Sequence, residues 1–257
     1  MHPLIQAWRR FDTSQRPFVL KGDEGILRWT RRCSSWEDYS RNPDFGQPED
    51  GQFHVDLLPV PFAGNLAKAS VYVLLLNPGF GPHDYFGEYE VPAFRRARIA
   101  NLRQPPRVQF LDLTPAFSWH GGFRYWHGRL TALISAFASS TRLSYGESRQ
   151  FFADEIASVE LVPYHSKAFH LPRKVVTNLR SVELAQQFVR EVLVPRAKRN
   201  ECLIVVTRSS GYWGLAKAHN VVLYEGSETR SAHLSPNSRG GSAILRFLQL
   251  VYHRRTP

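Results

Sequence analysis

Three features of the 257-residue sequence predict an α/β fold, and within that class a three-layer α/β/α sandwich about a central, mainly parallel four-stranded sheet. Short apolar runs rich in β-branched residues recur at VYVLLL (71–76), VELVPY (159–164), LIVVT (203–207) and NVVLY (220–224). Segments of helical period separate them, the alternation that builds a parallel sheet covered on both faces. Polar loops follow three of the runs, NPGFGPHDY, PYHSKAFH and HLSPNSRGG, and in such sheets chemistry sits outside the carboxyl ends of the strands.

The elements follow in order. Residues 1–52 are polar, with Trp8, Trp29 and Trp36 scattered among charges and no clean period; they read as an N-terminal extension or cap, and residues 53–257 as the main domain. FHVDLLPVPFAG ends on Gly64, and NLAKA makes a short helical step into the first strand. An arginine-rich stretch comes next, then a short strand at VQFLDL (108–113). In the aromatic segment beyond it, Trp126, Leu130, Leu133, Ile134 and Phe137 recur at helical spacing and are expected in the core. A helix over 147–157 precedes the second strand, and an amphipathic helix from Ser181 sets Val182, Ala185, Val189 and Val192 on one face. GYWGLAKA is a short helix after the third strand, and SAILRFLQLVYH a last one.

At 43% hydrophobic the chain can bury one full core. Its 33 Lys+Arg against 22 Asp+Glu, a formal +11, point to a polyanionic partner. Arginine is concentrated in FRRARIANLR (94–103), PRAKR (195–199) and YHRRTP (252–257), although any single run also serves as a solvated face. Cys33 and Cys202 are too few for a disulfide framework or a cluster. His120 and His127 in WHGGFRYWHG lack a third ligand at recognisable spacing, so no metal and no cofactor is expected. MHPLIQAWRRFD has no apolar signal core and no run reaches about 18 apolar residues, which together predict a cytoplasmic protein with no membrane partner. Phosphate-loop, nucleophile-elbow and two-metal acidic patterns are lacking.

The order LLLNPG, a middle strand ending in a polar loop, an apolar strand with a short helix, then HLSPNSRGG opening a C-terminal helix resembles the uracil-DNA glycosylase superfamily over residues 55–250. Asn77-Pro78-Gly79 is most similar to the mismatch-specific and single-strand-selective branches, and His233-Leu234-Ser235-Pro236 to the single-strand-selective and classical ones. The resemblance implies a monofunctional, monomeric DNA glycosylase that extrudes one base from DNA and hydrolyses its N-glycosidic bond. Asn77 or Asp84 would position the water and His233 would donate to the departing base; each also has a structural use, as a turn bond, a helix cap and a satisfied loop histidine respectively. Tyr85, Phe86 and Tyr89 are candidates to stack on the base, with lid or core packing as the alternative, and Gly79 and Phe80 line its pocket.

In the resemblance, a tyrosine that blocks pyrimidine C5 in classical members is replaced here by Gly79, and Tyr164, His165 and Ser166 stand where those members read the base with asparagine. A C5-substituted pyrimidine is therefore expected, in base-excision repair or in defence against phage with modified DNA. The loop Ser235, Asn237, Ser238, Arg239, Gly240, Gly241 would contact DNA, its glycines offering helix N-terminal amides to a phosphate or simply satisfying a turn. A catalytically inactive nucleic-acid-binding module and a small-molecule enzyme on a similar fold are the alternatives.

Overall fold

The computed structural model of the protein describes residues 1–47 and 50–255. It is an α/β protein with a parallel-rich sheet, and the chain divides into two compact units. The first comprises Met1–Phe62, Leu76–Pro105 and Glu160–Phe188; the second comprises Ala63–Leu75, Pro106–Val159 and Val189–Pro257.

In the first unit two short strands, β1 (Thr30–Arg31) and β2 (Phe53–His54), pair in parallel. The same unit holds helices Pro3–Arg9, Trp36–Ser40, Pro82–Glu90 and Pro92–Arg103, and Arg180–Phe188 packs on the first of these. Prolines open three of the helices, where a missing N–H costs nothing. The described residues of 1–52 thus contribute helices and a strand to a larger unit. Side chains tie them in: Asp56 accepts from Arg32 Nε and from the Cys33 amide at 2.8 Å, and Tyr164 donates to Asp23 at 2.6 Å. Asp23 also accepts from the Ser181 amide at 3.0 Å, and burial pushes its carboxyl up despite these bonds.

The main sheet lies largely in the second unit. Its strands β3 (Phe62–Ala63), β4 (Val71–Leu75), β5 (Ile156–Glu160), β6 (Leu203–Val206) and β7 (Val221–Leu223) lie in the order β3-β5-β4-β6-β7. β4 pairs in parallel with β6, Val71 opposite Leu203, and β6 with β7, Ile204 opposite Val221. The sheet has five strands where the sequence predicts four, because two-residue β3 is too short to show a period. Helix Gly121–Thr141 buries Trp126, Leu130, Leu133, Ile134 and Phe137 against Val71, Val73 and Val205, as their spacing requires. Helix Tyr145–Glu155 starts on a Ser144/Glu147 capping box, and Arg239–Arg255 ends the described chain.

Several local expectations change. VQFLDL forms no strand: a single amide bond, Phe110 N to Ala153 O at 2.8 Å, leads into a 3-10 turn at Leu111–Leu113. NLAKA is a turn, since Asn65 Oδ1 accepts from the Ala67 and Lys68 amides and competes with helix formation. β5 starts three residues before the predicted strand because the preceding helix runs into it with no turn residue between. The helix from Ser181 loosens to a π turn at Val189–Leu193 ahead of Pro195. No helix of the described residues is long and apolar enough to cross a membrane.

Candidate active site

In the first unit the chain that leaves β4 meets the chain that leaves β5. Val162 N donates to Leu76 O at 2.9 Å and Ser166 N to Pro78 O at 3.3 Å. His165, 2% exposed, bonds Gly79 O through Nδ1 at 2.9 Å; a carbonyl only accepts, so Nδ1 carries the proton. Asn77 lies between these loops. Its amide nitrogen donates to Pro78 O at 2.8 Å, Ser166 Oγ at 2.9 Å and Ser166 O at 3.3 Å. Two of the three acceptors are carbonyls, which fixes the amide orientation. Both N–H groups are therefore spent inward, and among the described residues nothing donates to the carbonyl oxygen of this partly exposed side chain. Ser166 donates to Ala168 O at 2.9 Å, so it can only accept from Asn77. The arrangement presents one clamped acceptor oxygen, able to orient a water molecule.

Asp84 is the third residue of helix Pro82–Glu90 and 4% exposed. One carboxylate oxygen accepts from Gly81 N at 2.8 Å with His83 Nε2 at 3.4 Å, and the other is 3.8 Å from His165 Nδ1. It caps its helix, the alternative use open to it from sequence, while standing between two imidazoles. Gly79 is exposed and has open space where a side chain would project.

The aromatic candidates divide. Tyr85 is fully buried, with Tyr39 stacked at 4.4 Å and Tyr89 at 5.9 Å, so it has no face for a base; burial drives its hydroxyl pKa upward. Phe80 stacks on His54 at 3.6 Å. Tyr89 donates to Asp56 O at 3.0 Å under the Arg16 guanidinium, and burial pushes its hydroxyl up to about 12. Phe86 is 40% exposed and edge-on to Trp36. Tyr164 is a tie rather than a base reader: its hydroxyl donates to Asp23 and accepts from Leu20 N at 3.0 Å. Ser166 likewise serves Asn77.

The sequence reading missed the residues that pack this region, Trp36 and Tyr39 of the N-terminal segment with His54 and Asp56 just beyond it, whose one signal is the density of aromatics in a polar stretch. It also missed Glu88, 3% exposed, which takes the Leu58 amide on both oxygens at 3.0 Å beside Arg95 at 3.4 Å. Burial pushes this carboxyl up to about 7.

In the second unit His233 is exposed, and its carbonyl accepts from the Tyr224 hydroxyl. Ser235 O accepts from Ser238 N at 3.0 Å and Ser238 Oγ at 2.9 Å. The amides expected to offer themselves to phosphate are taken: Gly240 N bonds the Tyr224 hydroxyl and Gly241 N bonds Ser238 Oγ, both at 3.1 Å. A Cβ on Gly241 would fall inside the Ser235 carbonyl, so close packing explains this glycine. Arg239 pairs with Glu228 at 2.6 Å and bonds Leu223 O. Asn237 remains exposed. His120 and His127 are used separately, the first capping helix Gly121–Thr141 through Gly122 N at 3.0 Å, the second bonding the Tyr145 hydroxyl at 2.9 Å.

The arginine runs are largely spent within each unit. Arg95 bonds Glu88 and Thr13 O, Arg98 lies buried over Phe94, and Arg103 bonds Arg9 O. Arg196 bonds Ala69 O at 3.0 Å, Arg199 pairs with Glu201 at 2.6 Å, and Arg255 with Glu155. Compared with known proteins, the chain matches no family model, no curated sequence and no solved structure.

Proposed function

We propose that the protein is a DNA glycosylase of the uracil-DNA glycosylase superfamily, hydrolysing the N-glycosidic bond of a C5-substituted pyrimidine and leaving an abasic site. The observation that carries this reading is the clamped Asn77 amide, with both N–H groups turned inward and its oxygen left as an acceptor at the end of the first long strand. Breaking a glycosidic bond builds positive charge on the sugar and negative charge on the base, so an oriented water and a donor to the base supply what the transition state lacks. Asn77 orients the water and His233 donates, roles that follow from the resemblance. Open space at Gly79 supports acceptance of a C5 group.

The three-layer α/β/α arrangement, with catalytic residues in 53–257 and residues 1–52 packed on them, belongs to this reading, as do a monomeric, cytoplasmic, cofactor-free enzyme and a place in base-excision repair or phage defence. The second reading, a catalytically inactive nucleic-acid-binding module of the same fold, is favoured by the commitment of Asp84 to its helix cap. One experiment separates them: incubation with oligonucleotides bearing different C5 groups, then alkali. The glycosylase releases a free base from one of them and leaves a cleavable abasic site, and Asn77→Ala abolishes the release. No release from any substrate removes the catalytic reading.

A further inference from the structure

Four arginines of the second unit outside the conspicuous runs have no carboxylate partner among the described residues. On helix Gly121–Thr141, Arg129 lies 4.4 Å over the ring of Tyr125, itself 43% exposed, and bonds the carbonyl of Ala232, next to exposed His233. Arg124, exposed on the same helix, donates to Trp119 O at 3.0 Å, and exposed Arg208 donates to Arg230 O at 3.2 Å. A bond to a carbonyl holds a guanidinium in place without cancelling its charge, whereas a carboxylate partner cancels it. The nearby carboxylates are already bound, Glu225 by Lys217 and Glu228 by Arg239, both at 2.6 Å. Arg124, Arg129, Arg208 and Arg230 have no carboxylate partner among the described residues. They form a strip of net positive charge beside an exposed aromatic ring; Arg124, Arg129 and Arg208 are held by their carbonyl bonds, so their ordering entropy is lost on folding rather than on binding.

We propose that this strip, from Arg124 and Tyr125 through Arg129 to Arg230 and Arg208, binds the phosphate backbone of DNA, with Tyr125 stacking on an unpaired base. The choice of DNA rests on the glycosylase reading; the charge and the ring rest on the structure alone. Each phosphate neutralised by a cation adds about 0.7–0.9 to the slope of log affinity against log salt, and stacking on an aromatic ring carries little salt dependence.

The test is fluorescence anisotropy of the full chain with labelled, unmodified single-stranded and duplex oligonucleotides between about 50 and 200 mM salt. Arg124→Gln with Arg208→Gln lowers the slope by between one and two, while the lysine pair at the same positions keeps it. Tyr125→Ala weakens single-strand binding about tenfold with the slope unchanged. An unaltered slope in the glutamine pair, an equal loss in the lysine pair, unchanged single-strand affinity in Tyr125→Ala, or tighter binding of RNA by the same residues overturns the proposal. Base release is scored in parallel. Release with no effect of the strip variants on binding leaves the glycosylase and removes this surface; the expected slopes with no release from any substrate do the reverse.

Discussion

Replacing Glu88 with glutamine tests whether the first unit buries a carboxyl that titrates near neutrality. The side chain is 3% exposed, and burial lifts its pKa from the ordinary 4.5 to about 7 against the pull of the Leu58 amide, Arg98 and Arg95. Between those two values the folded protein holds a proton that the unfolded chain has released. The contribution to stability is therefore fully present below about pH 4.5, falls as pH rises, and levels off above about pH 7. Two and a half pH units at about 1.4 kcal/mol each amount to about 3–4 kcal/mol. Glutamine keeps the shape and an acceptor for the Leu58 amide but does not titrate. Urea denaturation of both proteins from about pH 5 to about pH 8 should show the variant gaining most of that amount relative to the parent as pH rises. Other groups titrate alike in both proteins and cancel in the difference. Superimposable pH profiles would refute the reasoning.

Ser166→Ala removes one acceptor from the Asn77 amide, and base release should fall about tenfold with DNA affinity unchanged, the worth of one hydrogen bond of about 1.4 kcal/mol, as measured by single-turnover kinetics. Gly241→Ala drives a Cβ into the Ser235 carbonyl and should cost about 3 kcal/mol, lowering Tm by about 6–12 °C in a thermal scan, while Gly79→Ala, with open space around it, should leave Tm unchanged. Gly79→Tyr should suppress release of pyrimidines with large C5 groups more than release of uracil, read by comparing excision rates on the two substrates.

The buried strands and long helices were legible because each repeats a pattern over many residues. Val71–Leu75 and Leu203–Val206 are unbroken apolar runs, and Trp126 to Phe137 keep a helical period. The juxtaposition of the Asn77 and Ser166 loops was foreseen from their places after strands, although Ser166 turned out to hold Asn77. The N-terminal segment was opaque for a physical reason. Its strands are two residues long, and it is held by single side chains such as Asp23 and Asp56, whose partners lie far away in sequence. The arginine runs overstate the free charge they carry, because composition records charge but not the carboxylates and carbonyls that meet it.

The buried contact of Asp23 with Tyr164 and the Ser181 amide bears on how the chain can be dissected. A shortened protein beginning near residue 53 would lose the acceptor for the Tyr164 hydroxyl and strip the cover from the segment that supports Ser166. Truncation from the amino end should therefore yield insoluble material.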